Sequence, residues 1–223
     1  MRTTRAYAIG SSATCGCPAA GGACSGPTTT GRAPADRLVD RCGGIPLNFA
    51  ARTQLVAVNV ALGTGSHVTA AAVADPFTDE VFWTDGARAS VRRAGTDEPL
   101  APTAESRLVD VNLDPPFPNA PAFRAVRLLA DDRLLARFGP RVLSTSLALT
   151  WVVAGRRAAY LTDGAAADSV HFAAGIALCR AAGCVVTDLH GAPLAAGPVG
   201  LLVAADAQTH TELLSLVRDQ LTG

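Results

Sequence analysis

The feature that most constrains this chain is a change in the spacing of its apolar residues part-way along. Between Gln54 and Arg93, apolar and polar residues alternate in short runs, the period of a strand with one face buried. Gln54 to Leu62 is rich in valine and ends at the turn Gly63-Thr64-Gly65-Ser66. His67 to Ala74 follows and ends at Asp75-Pro76-Phe77-Thr78-Asp79, and Glu80 to Thr84 is divided from Ala89 to Arg93 by Asp85-Gly86. With Leu38-Val39-Asp40 in front, these runs predict an antiparallel meander. From Leu108 the rhythm lengthens. Leu108 to Leu113 reads as a strand, Pro115 to Pro121 as a proline-rich link, and Phe123 to Arg137 as a helix. Ser144 to Ala154 and Val170 to Ala182 are apolar helices stopped by Gly155 and Gly183. Ala158 to Leu161, Cys184 to Leu189 and Val199 to Ala204 are strands, and Thr209 to Leu221 is a closing amphipathic helix. Strands alternating with helices predict an α/β (α+β layered) unit. The expected organisation is an antiparallel sheet half over 37–106 and an α/β half over 107–223, together one body over 37–223. Residues 1–36, rich in Gly, Ser, Thr, Ala, Pro and Cys, read as a poorly ordered arm or as the product of a misplaced start codon.

Composition removes several kinds of chemistry. All 19 basic residues are arginine, so a Schiff-base lysine and a phosphate-loop lysine are both excluded. Those 19 are balanced by 19 acidic residues, which argues against nucleic acid or an anionic membrane as partner. No apolar run approaches the roughly eighteen residues that would span a bilayer, and the start lacks a secretory layout. The six cysteines form no C-x-x-C pair and have no histidine at zinc spacing; Cys179 and Cys184 read as small core residues. A reduced, cytoplasmic setting is the expectation.

The local sequences within this pattern are distinctive. The stretch Leu38 to Phe49, LVDRCGGIPLNF, is similar to a segment written DPxDGTxNF in the inositol monophosphatase family. LVAVNVAL and VADPFTDEVFWTDGARASV continue in register with that family's strands. RVLSTSLALTWVVAGRRAAY resembles its G-S-A-A helix and following strand, and HFAAGIALCRAAGCVVTDLHG resembles its W-D-x-A-A-G segment. The resemblance runs over about residues 37–221. It implies an inositol-monophosphatase-like sandwich, lacking the family's N-terminal pair of helices, since residues 1–36 are too short for them and carry only Asp36 as an acid. It also implies a homodimer, which would cover apolar surface that those helices cover in the family.

The same resemblance implies magnesium held by several carboxylates, and here the pattern departs. Asp40 stands at the first aspartate of the motif, but Gly43 replaces the second, Arg41 replaces the proline, and Ile45 or Pro46 occupies the threonine position. At W-D, Val170 and His171 stand for the tryptophan and the aspartate. One carboxylate and a histidine make no magnesium site, so no metal or other cofactor is expected.

In the family, the residues at the positions of Asp40 and His171 share a metal, which implies that the two lie close together. An imidazole beside a carboxylate balances charge without a metal and can act as general acid or base near neutral pH. The alternative is a core histidine bonded to Asp40 in a dead site. Arg41 is a candidate anchor for an anionic substrate group, or a partner of Asp40 alone. Ser144 and Thr145, where the family has G-S-A-A, either bind a small polar ligand or cap a helix. Asp168 and Ser169 carry the same two readings, and Asp163 precedes them on the same loop. Three functions follow as expectations. The first is a metal-independent lyase, isomerase or cyclase acting on a small molecule in specialised biosynthesis. The second is a non-catalytic pseudophosphatase that binds a partner or ligand, and the third a residual magnesium-dependent sugar- or inositol-phosphate phosphatase.

Overall fold

The computed structural model describes residues 36–42, 48, 50–64, 67–113, 125–167, 169–194 and 199–222. The stretch read as an arm, residues 1–36, lies outside them except for Asp36, and so do Gly43 to Pro46, the link Pro115 to Pro121, and Asp168. The alternating runs form one six-stranded meander: β1 (Asp36–Cys42), β2 (Val58–Thr64), β3 (His67–Asp75), β4 (Glu80–Thr84), β5 (Ala89–Arg93) and β6 (Thr96–Pro99). The strands lie side by side in chain order and all pair antiparallel. β6 has no counterpart in the apolar pattern because its TDEP sequence is exposed at every position. Proline and acids on that outermost strand are residues that discourage further pairing.

The second half follows in the order β7 (Leu108–Asn112), α1 (Ala125–Leu128), α2 (Asp132–Arg137), β8 (Gly139–Val142), α3 (Leu147–Val153), β9 (Ala159–Thr162), α4 (Val170–Ala181), β10 (Val185–Thr187), β11 (Leu201–Ala204) and α5 (Ala207–Thr222). Its sheet has the order β10-β11-β9-β7-β8, with β7 parallel to both β8 and β9. Two expectations need correction. The single helix over Phe123 to Arg137 is two short ones, because the Asp131 carboxylate accepts the Arg133 N–H and starts a new helix there. The helix expected from Ser144 begins at Leu147, whose N–H is taken by Thr145 Oγ1 at 3.2 Å. β8, with the sequence GPRV, is hidden from a propensity reading by its glycine and proline; as an edge strand it tolerates both.

Burial follows from the strand patterns. β9 and β11 are buried at every position, as apolar strands covered on both faces are. Tyr160, Leu201 and Val203 face one cluster, where α3 and α4 meet Ala61, Val73, Phe82 and Val91 of the first sheet. Ala159, Leu161, Leu202 and Ala204 face the other, beneath α1, α2 and α5. The layers therefore run sheet, helices, sheet, helices. α3 is buried all round except for the half-buried Trp151, as a helix between two sheets must be.

An ion-pair network joins the first sheet to the turn after α3. Glu80, 5% exposed, binds Arg156 and receives Arg93 Nε at 2.6 Å. Arg156 lies over the Phe82 ring at 5.9 Å from its centroid. The Arg156 hydrogen bond, partly opposed by burial and reinforced by Arg93, holds the Glu80 carboxyl down at about 2 against an ordinary 4.5. A depressed carboxylate contributes stability that is complete above its unfolded value and fades as pH falls through the folded one. Glu80→Gln is expected to remove a component of about 3 kcal/mol that the native protein loses between pH 4.5 and pH 2, leaving a flatter stability curve in urea titrations over that window. Unchanged curvature would show that Glu80 is not the group responsible.

α4 approaches α3 through Gly175, where an added Cβ would lie 2.6 Å from Leu149 Cδ1 and 2.8 Å from Leu149 Cβ. Gly175→Ala is expected to destabilise by about 1–3 kcal/mol despite the better helix propensity of alanine. Leu149→Ala alone should cost about 2–5 kcal/mol. Because it vacates the space the new methyl needs, the double variant should cost clearly less than the sum, measured by denaturant midpoints. Simple additivity would refute a steric origin.

Candidate functional site

The second sheet contains a topological switch. After β7 the chain passes to α1 and α2 on one face, whereas after β9 it passes to α4 on the other. Neighbouring parallel strands whose connections leave in opposite directions open a crevice beyond their carboxyl ends, the usual place for a ligand in such sheets. Asn112 ends β7, Thr162 ends β9, and Leu143 to Ser146 follow β8 on the same edge.

Polar side chains converge there. Asn112, 6% exposed, donates its Nδ2 to Tyr160 Oη at 3.1 Å. Asp163 is buried and accepts the Ala125 N–H at 3.1 Å, tying the start of α1 to the end of β9. Gly164 donates its N–H to Thr162 Oγ1 at 3.1 Å. The first sheet reaches the same edge: Asn59 of β2 donates its Nδ2 to Ser146 Oγ at 3.0 Å, and Asn48 donates to the Ser144 carbonyl and, at 3.1 Å, to that of Leu55. Asn59 Oδ1 is buried without a hydrogen-bond partner among the described residues.

Four residues expected at a site, Ser144, Thr145, Ser169 and His171, thus lie at or just beyond this carboxyl edge. Ser169 caps α4, its Oγ accepting the His171 N–H at 3.3 Å, and Thr145, one residue ahead of the N-cap Ser146 of α3, accepts the Leu147 N–H with its Oγ1. His171 stands in the first turn of α4 and is exposed; of the described side chains of that helix only His171 and Arg180 are. It is not a core histidine. Asp40 and Arg41 lie on β1, with Val60 and Asn59 as their Cα partners, so Arg41 is across from the very residue that bonds Ser146. The side chains of Asp40 and Arg41 and all of Asp168 lie outside the described residues. Of the other histidines, the side chain of His67 lies outside the described residues, His190 is exposed, and His210 is buried, 2.8 Å from Thr187 Oγ1, with its pKa lowered by burial and then by Arg218.

Asp110, fully buried two residues before Asn112, receives Arg157 Nε at 2.7 Å, while its Oδ2 has no hydrogen-bond partner. Desolvation raises its pKa, opposed by Arg157, which itself lies 4.8 Å from the Trp151 ring centroid. Such a group subtracts stability as pH rises above the ordinary carboxylate range. Asn59, Asp110 and Asn112 escaped the sequence reading. Their signal was present as a polar residue inside each of two apolar runs, VNVAL and LVDVN, where an unpartnered amide or acid would be costly.

Among the described residues no three of His, Cys, Asp and Glu gather as metal ligands, and no helix is long and apolar enough to cross a membrane. No protein of curated function matches this chain in sequence. Solved structures do match in fold. The native extragenic suppressor protein SuhB of Bartonella henselae is 24% identical, with a TM-score of 0.68 over 85% of this chain and 71% of that one. The Thermotoga maritima IMPase is 17% identical, with a TM-score of 0.68 over 86% of this chain and 72% of that one. For the inositol monophosphatase from Anabaena (Nostoc) the values are 23% and 0.63, over 83% and 74%. The model of the inositol monophosphatase family itself matches residues 47–222, which reach from before β2 to the end of α5. With β2 to β6 of the first sheet, the whole second sheet and the helices between them inside that match, this chain belongs to the inositol monophosphatase family.

Proposed function

We propose that this family member performs metal-independent proton transfer on a small polar molecule at the carboxyl edge of the second sheet. His171 is the general acid or base, and Asp40 orients it. The observation that carries the reading is the exposure of His171 in the first turn of α4, where the other described side chains apart from Arg180 are buried or half-buried. An imidazole that reaches solvent at the family's carboxylate position is available to a substrate, as a buried one would not be. Arg41, whose Cα partner is Asn59, anchors an anionic group of that substrate, and Ser144 and Asp168 are candidates for binding its polar groups. The reaction class is that of a lyase, isomerase or cyclase, in which a proton leaves one atom and arrives at another without a redox partner.

Magnesium fits this donor set poorly. Hard divalent ions need several oxygen ligands in near-octahedral order. Here Gly43 and His171 replace two carboxylates, and the Asp163 carboxylate is engaged with the Ala125 N–H.

A second reading, a non-catalytic protein that binds a partner, is favoured by apolar surface on the first sheet. Val58, Leu62 and Phe77 are exposed, and a hollow of about 690 Å³ is lined by Val56, Val58, Pro76 and Phe77 among others. A homodimer would cover such surface.

The test is proton exchange. The protein is incubated in D₂O with a panel of small hydroxy- and keto-acids and cyclic polyols, and deuterium incorporation is followed by NMR. Incorporation should occur with chelator present and fall by about 10²–10⁴-fold in His171→Ala. Magnesium-dependent release of phosphate from inositol or sugar phosphates would overturn the metal-free reading. The same loss-free exchange in wild type and His171→Ala would remove His171 from the chemistry.

A further inference from the structure

The carboxyl end of α4 closes in a specific way. Gly183 donates its N–H to the Arg180 carbonyl at 3.1 Å, and Cys184 donates its N–H to the Cys179 carbonyl at 2.9 Å. Gly183 has φ +84°, the left-handed conformation that glycine adopts without penalty. These three features define a Schellman cap, which sets the residue two beyond the helix end against the residue three from its end. In most proteins two apolar side chains make that contact. Here both are cysteines.

Both are buried, Cys179 at 0% and Cys184 at 8% exposure, and both are free thiols. Cys179 donates its Sγ–H to the Leu149 carbonyl of α3 at 3.6 Å. Burial pushes the Cys179 thiol well above its ordinary range, and the Cys184 thiol adds to that shift. The cap geometry sets the two side chains against each other. A backbone hydrogen bond directly between the two residues also keeps their Cα atoms close, as a disulfide requires (about 4.4–6.8 Å). Gly183 is exposed, and a Cβ there would meet nothing within 4 Å, so the turn above Cys184 faces open space.

We propose that Cys179 and Cys184 form a dithiol modification site that closes reversibly to a disulfide across the α4 cap by exchange with a small-molecule disulfide. Cys184, the more accessible, attacks one sulfur of the reagent as its thiolate, forming a mixed disulfide and releasing the first thiolate. Cys179 then attacks the Cys184 sulfur and releases the second. Two protein thiols become one disulfide, the reagent is reduced to two thiols, and the protons of Cys179 and Cys184 pass to the two leaving sulfurs. The bridge would tie the end of α4 to the start of β10 and cost Leu149 its thiol hydrogen bond. The raised thiol of Cys179 makes its half of the exchange slow at neutral pH and faster as pH rises.

Peptide mapping of the full native chain tests this. Arg180 lies between the two cysteines, so trypsin leaves them on separate peptides unless a disulfide joins them. After hours with oxidised glutathione, alkylation of the remaining thiols and digestion, the joined Cys179–Cys184 pair is expected. It should vanish with dithiothreitol and form faster at pH 9 than at pH 7. Cys184→Ser should abolish the joined pair and leave Cys179 open to alkylation after unfolding. Phenylarsine oxide, which bridges neighbouring thiols, should protect Cys179 and Cys184 together from alkylation. Separate glutathione adducts on the two residues would overturn the proposal. So would a joined pair that forms only in urea, or alkylation of both while Cys42 has reacted.

Discussion

The close approach of α3 and α4 governs the rest of the molecule. Both helices lie between two sheets, and Gly175 against Leu149 sets how near they come. A side chain at Gly175 would push α4 outward from α3, and with it the first sheet that rests on Val73, Phe82 and Val91. Everything at the crevice is attached to this layer: α3 begins just after Thr145 and α4 just after Ser169, so the spacing of the two helices is also the spacing of the two polar segments that enter the site.

The polar residues inside the layers each have a physical reason to be there. Glu80 is held by two guanidinium groups and clamps the first sheet to the turn after α3, a pairing that offsets its desolvation. Asp110 is less well compensated, with one oxygen on Arg157 and the other without a partner. Asn59 is half satisfied in the same sense. Burying such groups is costly for stability, and among the described residues Gln220 Oε1 on α5 is the third buried side-chain atom of this kind. Glu80, far from the crevice in role, is the fully satisfied one.

Much of the fold was legible because its signals are local. Alternation over a few residues sets a strand, so β2 to β5 and their order were readable from Gln54 to Arg93, although β2 starts only at Val58 and runs through Gly63 and Thr64, which read as turn. The elements that escaped are those whose sequence carries no apolar period, β6 and β8, and the break at Asp131, where a cap outweighed a helical spacing. At the site the hydroxyls of Thr145 and Ser169 were legible as caps or ligands, and each accepts an N–H at the start of the helix that follows it. Asn59, Asp110 and Asn112 were visible only as polar interruptions of apolar strands, with nothing in the sequence to say what each would face.

By itself the sequence determined the strand and helix periods, the family and the absence of lysine chemistry. These are properties of residue identity and near neighbours. Only the tertiary structure decided that His171 reaches solvent while His210 is buried, and that Asn59 meets Ser146 across 87 positions of chain. It likewise brought Asn112 to the same sheet edge as Thr162. Contacts between residues so far apart depend on how whole layers pack, and layer packing responds to volumes and buried areas summed over dozens of side chains, which no short stretch of sequence contains.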